Sequence, residues 1–212
     1  MAVASPMFPL GGPLLPGSVL PLQIFEPRYL EMIDRCLVSA EPSFGVVMID
    51  RGHEVGGGDV RSDVGTLARI VEVRSLPDGR LAVLVVGVRR IRVIEWLVDD
   101  PHPMAVIEEF PDDDDAHDVP VDDIEKRTAA LDRALALSAQ LMGTSPERPD
   151  LSSLEPTDVS FALGALAPLG PADRQRLLKA GGVAERLRVF DEVIAEVCDA
   201  MRFRLETRGD DA

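Results

Sequence analysis

The most constraining stretch is residues 7–37, MFPLGGPLLPGSVLPLQIFEPRYLEMIDRCL. Pro9, Pro13, Pro16 and Pro21 punctuate its apolar first half. Each proline fixes φ and removes an amide donor, so this half cannot be helical. It predicts two short extended pieces, residues 7–10 and 19–22, joined by a Gly/Pro turn over 11–17. The character then switches. Pro27 suits the first turn of a helix, where its missing N–H is no loss. Leu30, Ile33 and Leu37 recur at helical spacing beside Tyr29 and Cys36, with Glu31, Asp34 and Arg35 between them. An extended arm therefore runs into an amphipathic helix of about three turns.

The next stretch reads as β-structure. Residues 44–49 (FGVVMI) predict a buried strand. Residues 50–63, with Gly52, Gly56, Gly57 and Gly58, predict an exposed loop. Neither Lys126 nor Lys179 follows a glycine, so no phosphate-cradling loop of the Walker type is present. From residue 65 to 98 apolar and polar residues alternate around a Pro77-Asp78-Gly79 turn. Residues 81–88 are almost wholly apolar, and Gly87 in that run predicts a bulge or a bend. Residues 104–110 add a further strand. Short strands with turns and no helix among them argue for a mostly antiparallel sheet closing as a small barrel.

Residues 99–125 are acidic, with four consecutive carboxylates at Asp112, Asp113, Asp114 and Asp115. Such a block repels itself and stays solvated, so it predicts a linker between subdomains. Calcium loops interleave carboxylates with a turn glycine and a terminal Glu. DDDDAHD has neither, so no metal is expected there. Beyond it the period becomes helical. Helices are expected over 122–142, over 158–167 with Thr157 as N-cap, over 172–180, and from Val183 onward. In the last, Val183, Leu187, Phe190, Ile194, Val197 and Met201 step by helical intervals and form a packing seam. Residues 207–212 read as a frayed polar tail.

Charge and composition exclude several functions. The net charge is −15, which argues against nucleic acid, whose binding depends on Lys and Arg neutralising phosphates. It argues equally against anionic membrane surfaces. No apolar run reaches the ~18 residues of a membrane helix. No basic residue precedes Arg28, which argues against a cleaved leader. Cys36 and Cys198 are expected as reduced thiols on helix faces of a cytoplasmic protein.

The run PLQIFEPRYLEMI resembles the opening of the Lon-protease N-terminal domain family, with Phe25, Glu26, Pro27, Arg28 and Tyr29 carrying the match. Residues 64–93 are similar to that family's second block, with Gly65-Thr66, the Pro-Asp-Gly hairpin, Gly87 and Arg90. Residues 174–194 resemble its helical part, where Leu177-Leu178 precedes Glu185-Arg186-Leu187. The resemblance implies an α+β fold: a small PUA-like β pseudo-barrel with one amphipathic helix, then a C-terminal helical bundle. The expected division is a barrel over residues 1–116 and a helical subdomain over 117–212. It also implies a stand-alone substrate-recognition part without the ATPase and peptidase modules.

The family's peptidase uses a Ser–Lys dyad, and neither lysine here stands in a nucleophile motif. His53, His102 and His117 fall in expected loops without a partner at metal-ligand spacing. A pairing of Cys36 with His53 is open only because catalytic partners can converge in space. No catalytic residue, metal or cofactor is therefore assigned. The expected function is binding of unfolded or degron-bearing polypeptide in an apolar groove between barrel and helices, with sheet edges open to strand addition. The alternatives are an adaptor presenting a folded partner to a protease or ligase, and a PUA-like binder of small molecules or RNA. Phe25, Tyr29 and Trp96 are the candidate peptide contacts. Each is first a core candidate, because aromatic residues make up only 4% of the chain. Glu26 and Arg28 read as a structural ion pair or helix cap around Pro27. Oligomeric state is not legible.

Overall fold

The computed structural model describes residues 2–51, 60–113 and 121–210. His53 with Gly56, Gly57 and Gly58, and Asp114, Asp115 and His117, lie outside them. The chain forms two compact units, Met1–Pro111 and Asp112–Ala212.

The first unit carries strands β1 (Val3–Leu10) and β2 (Val19–Ile24), helix α1 (Pro27–Leu37), then β3 (Ser43–Arg51), β4 (Val60–Ser75), β5 (Leu81–Trp96) and β6 (Met104–Glu109). The strands neighbour one another in the order β2-β5-β4-β3-β1-β6, and β6 also pairs with β5. Strands β5, β4, β3, β1 and β6 thus close a ring, as the alternation of short strands and turns predicts. The pairing is antiparallel except between β1 and β3, where Met7↔Gly45 to Leu10↔Met48 run in parallel.

Strand β5 changes partner along its length. Leu81–Val86 pairs with β2 and Ile91–Trp96 with β6. Gly87 sits at the changeover, beside a register shift against β4. A Cβ there would lie 2.6 Å from the carbonyl oxygen of Leu15, so a bulge and a glycine are both required. Gly65 is tighter still, with the Val46 oxygen 2.2 Å from any added Cβ. The strands extend into both ends of the stretch 50–63, whose glycines lie outside the described residues. Arg51 pairs with Val60 and Ile49 with Arg61, so both strands run into it.

Helix α1 has a broad buried face of Tyr29, Met32, Ile33 and Cys36. It packs on Phe8, Ile24, Phe44, Val46, Ala68, Ile70, Val83 and Val85. Full burial of each large side chain contributes about 1.5–3 kcal/mol. A second cluster gathers Met7, Val47, Ile91, Ala105 and Ile107.

The second unit carries α2 (Val121–Met142), α3 (Pro156–Leu166), α4 (Pro171–Lys179) and α5 (Val183–Asp210). Thr157 is not the N-cap of α3. Pro156 opens the helix and Glu155 occupies the cap position, without a side-chain cap bond. Proline at the first helical position removes one amide that would otherwise need capping. The backbone stays helical to Asp210, where the composition predicts fraying. The α5 seam is buried as its spacing predicts, with Val183, Leu187, Phe190, Ile194 and Met201 in the core and Val197 packed against it.

One buried charged residue on α5 lies off that seam. Arg186 has no exposed surface. Its guanidinium donates to both carboxylate oxygens of Asp112, at 3.1 and 2.6 Å, and its Nε–H to Ser160 Oγ at 2.8 Å. It stacks 3.7 Å from the centroid of Phe161. Asp113 N–H donates to the Gly181 carbonyl. Asp112 is therefore attached to the helical core and is not part of a free solvated linker, whereas Asp113 is tied only through its backbone and stays exposed. A buried cation finds its carboxylate, and that outweighs the mutual repulsion of the acidic run.

Candidate functional site

Strand β2 lies outside the closed ring and pairs with β5 alone. Its other edge is free among the described residues. Pro21 stands in the middle of β2, where an interior strand would lose a ladder hydrogen bond. Two hollows flank this edge. One, of about 210 Å³, is framed by the end of β1 at Phe8, Pro9 and Leu10, by β2, and by the start of α1. The other, of about 410 Å³, lies over β2, β5 and β4 and is bordered by Glu72 and Arg74. Pro21, Leu22 and Gln23 belong to both.

The local sequence explains this arrangement. Ile24 is buried, and Leu20 and Leu22 pack against the core, so one face of β2 is held inward. Ser18 and Gly87 fasten its start, with Gly17 N–H donating to the Gly87 carbonyl and Gly87 N–H to the Ser18 carbonyl. Thr66 Oγ1 donates to the carbonyl of Leu14 at 2.5 Å and ties the preceding turn to β4. The chain then passes directly from β2 into α1 through Phe25 and Glu26.

The structure brings Phe25 and Tyr29 to the same hollow and leaves Trp96 elsewhere. Phe25 is 56% exposed, a large apolar side chain at the rim. Tyr29 is buried, its ring 4.4 Å from that of Phe8, and it forms part of the wall. Trp96 is half-buried at the far end of β5, with the Arg61 guanidinium 4.7 Å above its ring. Glu26 and Arg28 form an ion pair at 2.9 Å, and Arg28 lies 4.6 Å from the Tyr29 centroid. Glu26 occupies the N-cap position of α1 without a side-chain cap bond. Pro27 is the first helical residue.

Chemistry of the nucleophilic kind finds no support at Cys36. Burial pushes its thiol up to about 11, and its Sγ lies 3.4 Å from the Ser43 carbonyl. The thiolate is the nucleophile, so this group is inert near neutrality. His53, its suggested partner, lies outside the described residues. Burial raises the Cys198 thiol as well, and both cysteines are free. His102 is buried, its Nδ1 3.2 Å from the Pro103 carbonyl. Among the described residues no three His, Cys, Asp or Glu side chains are grouped to hold a metal ion. No described helix is long and apolar enough to cross a membrane. The residues that sequence reasoning misses are those defined only by pairing, namely the β1 end at Phe8, Pro9 and Leu10 and the β2 residues Pro21–Gln23.

Comparison with known proteins agrees with this architecture. The family model described as the ATP-dependent protease La (LON) substrate-binding domain matches residues 4–194. Lon protease of Flavobacterium johnsoniae is 27% identical over 88% of this chain and 23% of its own length. Lon protease 2 of Herpetosiphon aurantiacus is 28% identical over 92% of this chain and 24% of its own length. The chain thus spans about a quarter of the curated relatives it matches. The crystal structure of a Lon N-terminal domain protein from Xanthomonas campestris superposes with a TM-score of 0.63 at 27% identity, covering 88% of this chain and 95% of that one. The N-terminal domain of Mycobacterium avium complex Lon protease shares the fold, with a TM-score of 0.63 at 22% identity over 91% of this chain and 98% of that one.

Proposed function

This chain belongs to the family of the ATP-dependent protease La (LON) substrate-binding domain, and on that premise we propose that it recognises polypeptide by strand addition along the free edge of β2. The observation that carries the reading is an unpaired strand edge with a hollow on each side and an exposed phenylalanine at its end. An extended segment laid beside β2 takes its main-chain hydrogen bonds from the strand and directs alternate side chains to either hollow. Such recognition reads backbone first, which suits unfolded chains of varied sequence. It needs no chemistry from the domain, in keeping with the inert Cys36. Free thiols at Cys36 and Cys198 fit a reducing, cytoplasmic setting.

The test is a titration of the purified chain into a labelled, permanently unfolded polypeptide, followed by fluorescence anisotropy. Phe25→Ala weakens binding at least about tenfold, as truncating an aromatic anchor does. Because Phe25 is more than half exposed, the melting temperature stays within a degree or so. Val38→Ala, on an 88% exposed residue just past α1, leaves binding unchanged. Equal affinity for wild type and Phe25→Ala removes the proposal.

A further inference from the structure

The second unit has a groove of its own, of about 570 Å³, between α2 and the segment that leads into α3. That volume lies within the range of small-ligand and side-chain pockets, about 300–1,000 Å³. Its floor is apolar, with Ile124, Leu151, Pro156 and Val159, and Leu154 stands at its rim, 40% exposed. Its charged rim is unequal. Asp132 is bound by Arg148, whose NH2 group donates to Oδ2 at 3.0 Å. Asp150 accepts from the Ser152 amide at 2.9 Å and hydroxyl at 2.8 Å. These donors hold both carboxyls below the usual carboxylate range, so both are ionised at any physiological pH. Glu125 is exposed and has no cationic partner among the described residues. Arg148 is the one basic side chain in the lining, against Glu125, Asp132 and Asp150.

An apolar floor inside a polar rim is the layout of a protein interface, and here the rim has net negative charge. Residues 112–212 carry 22 Asp and Glu against 12 Lys and Arg, so the surrounding field has the same sign. The stretch that precedes α2 in the sequence, 114–120, is itself acidic and so has the wrong charge for such a rim. We propose that the groove binds a basic peptide segment that sets one large apolar side chain on the Ile124–Val159 floor and a Lys or Arg against Glu125. The charges steer the approach and select against acidic partners, while the apolar side chain supplies most of the affinity. This site is independent of the β2 edge and has a different ligand: folded or unfolded, the partner must be basic here.

The test uses the full chain and three labelled peptides read by anisotropy: a Lys-rich peptide with one central Leu, its Leu→Ser counterpart, and its Lys→Glu counterpart. The first binds at least about tenfold more tightly than either of the others, and its binding weakens as salt is raised. Glu125→Lys lowers the affinity about fivefold or more. Ala129→Trp, at an exposed α2 position lining the groove, fills it and abolishes binding while leaving the thermal melt in place. Phe25→Ala has no effect on this peptide. Equal binding of the Leu and Ser peptides, binding that survives Ala129→Trp, or loss of binding in Phe25→Ala would each overturn the inference. If Phe25→Ala fails only on the unfolded polypeptide, the two sites are separate.

Discussion

The two units solve the same problem, a stable core in about a hundred residues, by opposite means. In the β unit the order comes from pairing. Strands distant in sequence close a ring, and the tight points are backbone against backbone, as at Gly65 and Gly87. In the helical unit the order comes from side chains on an α5 seam and from one buried ionic cluster, Arg186 with Asp112, Ser160 and Phe161. The lesson concerns where each unit can offer a surface. A ring of strands that leaves one strand over exposes backbone donors and acceptors, which are the same whatever the side chains. Helices satisfy their own backbone, so their surface can discriminate only through side chains and charge.

The contrast can be broken in one unit at a time, because the single tryptophan, Trp96, reports the β unit, while far-UV ellipticity is dominated by the helices. The largest effect is expected from Arg186→Ala. It takes the guanidinium away from the Asp112 carboxylate and from Ser160, a loss of about 3–5 kcal/mol for a buried pair broken on one side. The ellipticity transition in urea shifts to lower concentration, and the Trp96 transition stays where it was. Arg186→Met combined with Asp112→Asn recovers most of the loss, since neither charge is then stranded. Coincident shifts of both transitions would show that the ionic cluster is not confined to the helical unit's stability.

Gly65→Ala reverses the experiment at a smaller scale. The new methyl meets a backbone oxygen that cannot rotate away, so the cost is about 2–3 kcal/mol, and the Trp96 transition moves first. Smallest is the response to alkali. The Cys36 thiol ionises near 9.0 when unfolded and near 11 in the fold. Its contribution is fully present below about pH 9 and is lost as the pH rises towards about 11, because the folded state then holds the extra proton. The wild-type Trp96 transition loses stability over that window more steeply than that of Cys36→Ala. Parallel slopes for the two proteins would show that burial of this thiol does not control its ionisation.

Much of this was legible from residues alone, for identifiable reasons. Helix α1 was readable because Pro27 marks its start and its apolar positions keep a helical period. The α5 seam was readable for the same reason. The bulge at Gly87 was readable because a lone glycine in an apolar strand has few other uses. Arg186 was not, because it sits in a Glu-Arg-Leu-Arg run whose other charged members, Glu185 and Arg188, are exposed, and its partner lies 74 residues earlier. At Asp112 the acidic run misled for a related reason. Like charges predict solvation unless a buried cation is waiting, and no local pattern announces one. At the candidate site, the exposure of Phe25 and the burial of Tyr29 four residues on were equally invisible, since both are aromatic and adjacent to the same helix start.

Sequence by itself determined the period of each segment, the β-then-α division, the excess of negative charge and the motif that links the chain to its family. These are properties of neighbours in the chain, decided by sterics and by how often an apolar side chain recurs. Only the tertiary structure decided which strand is left out of the ring, which arginine is buried and which aromatic faces solvent. Those depend on partners brought together from far apart, and the energy of an unpaired edge or a desolvated charge is set by what stands opposite.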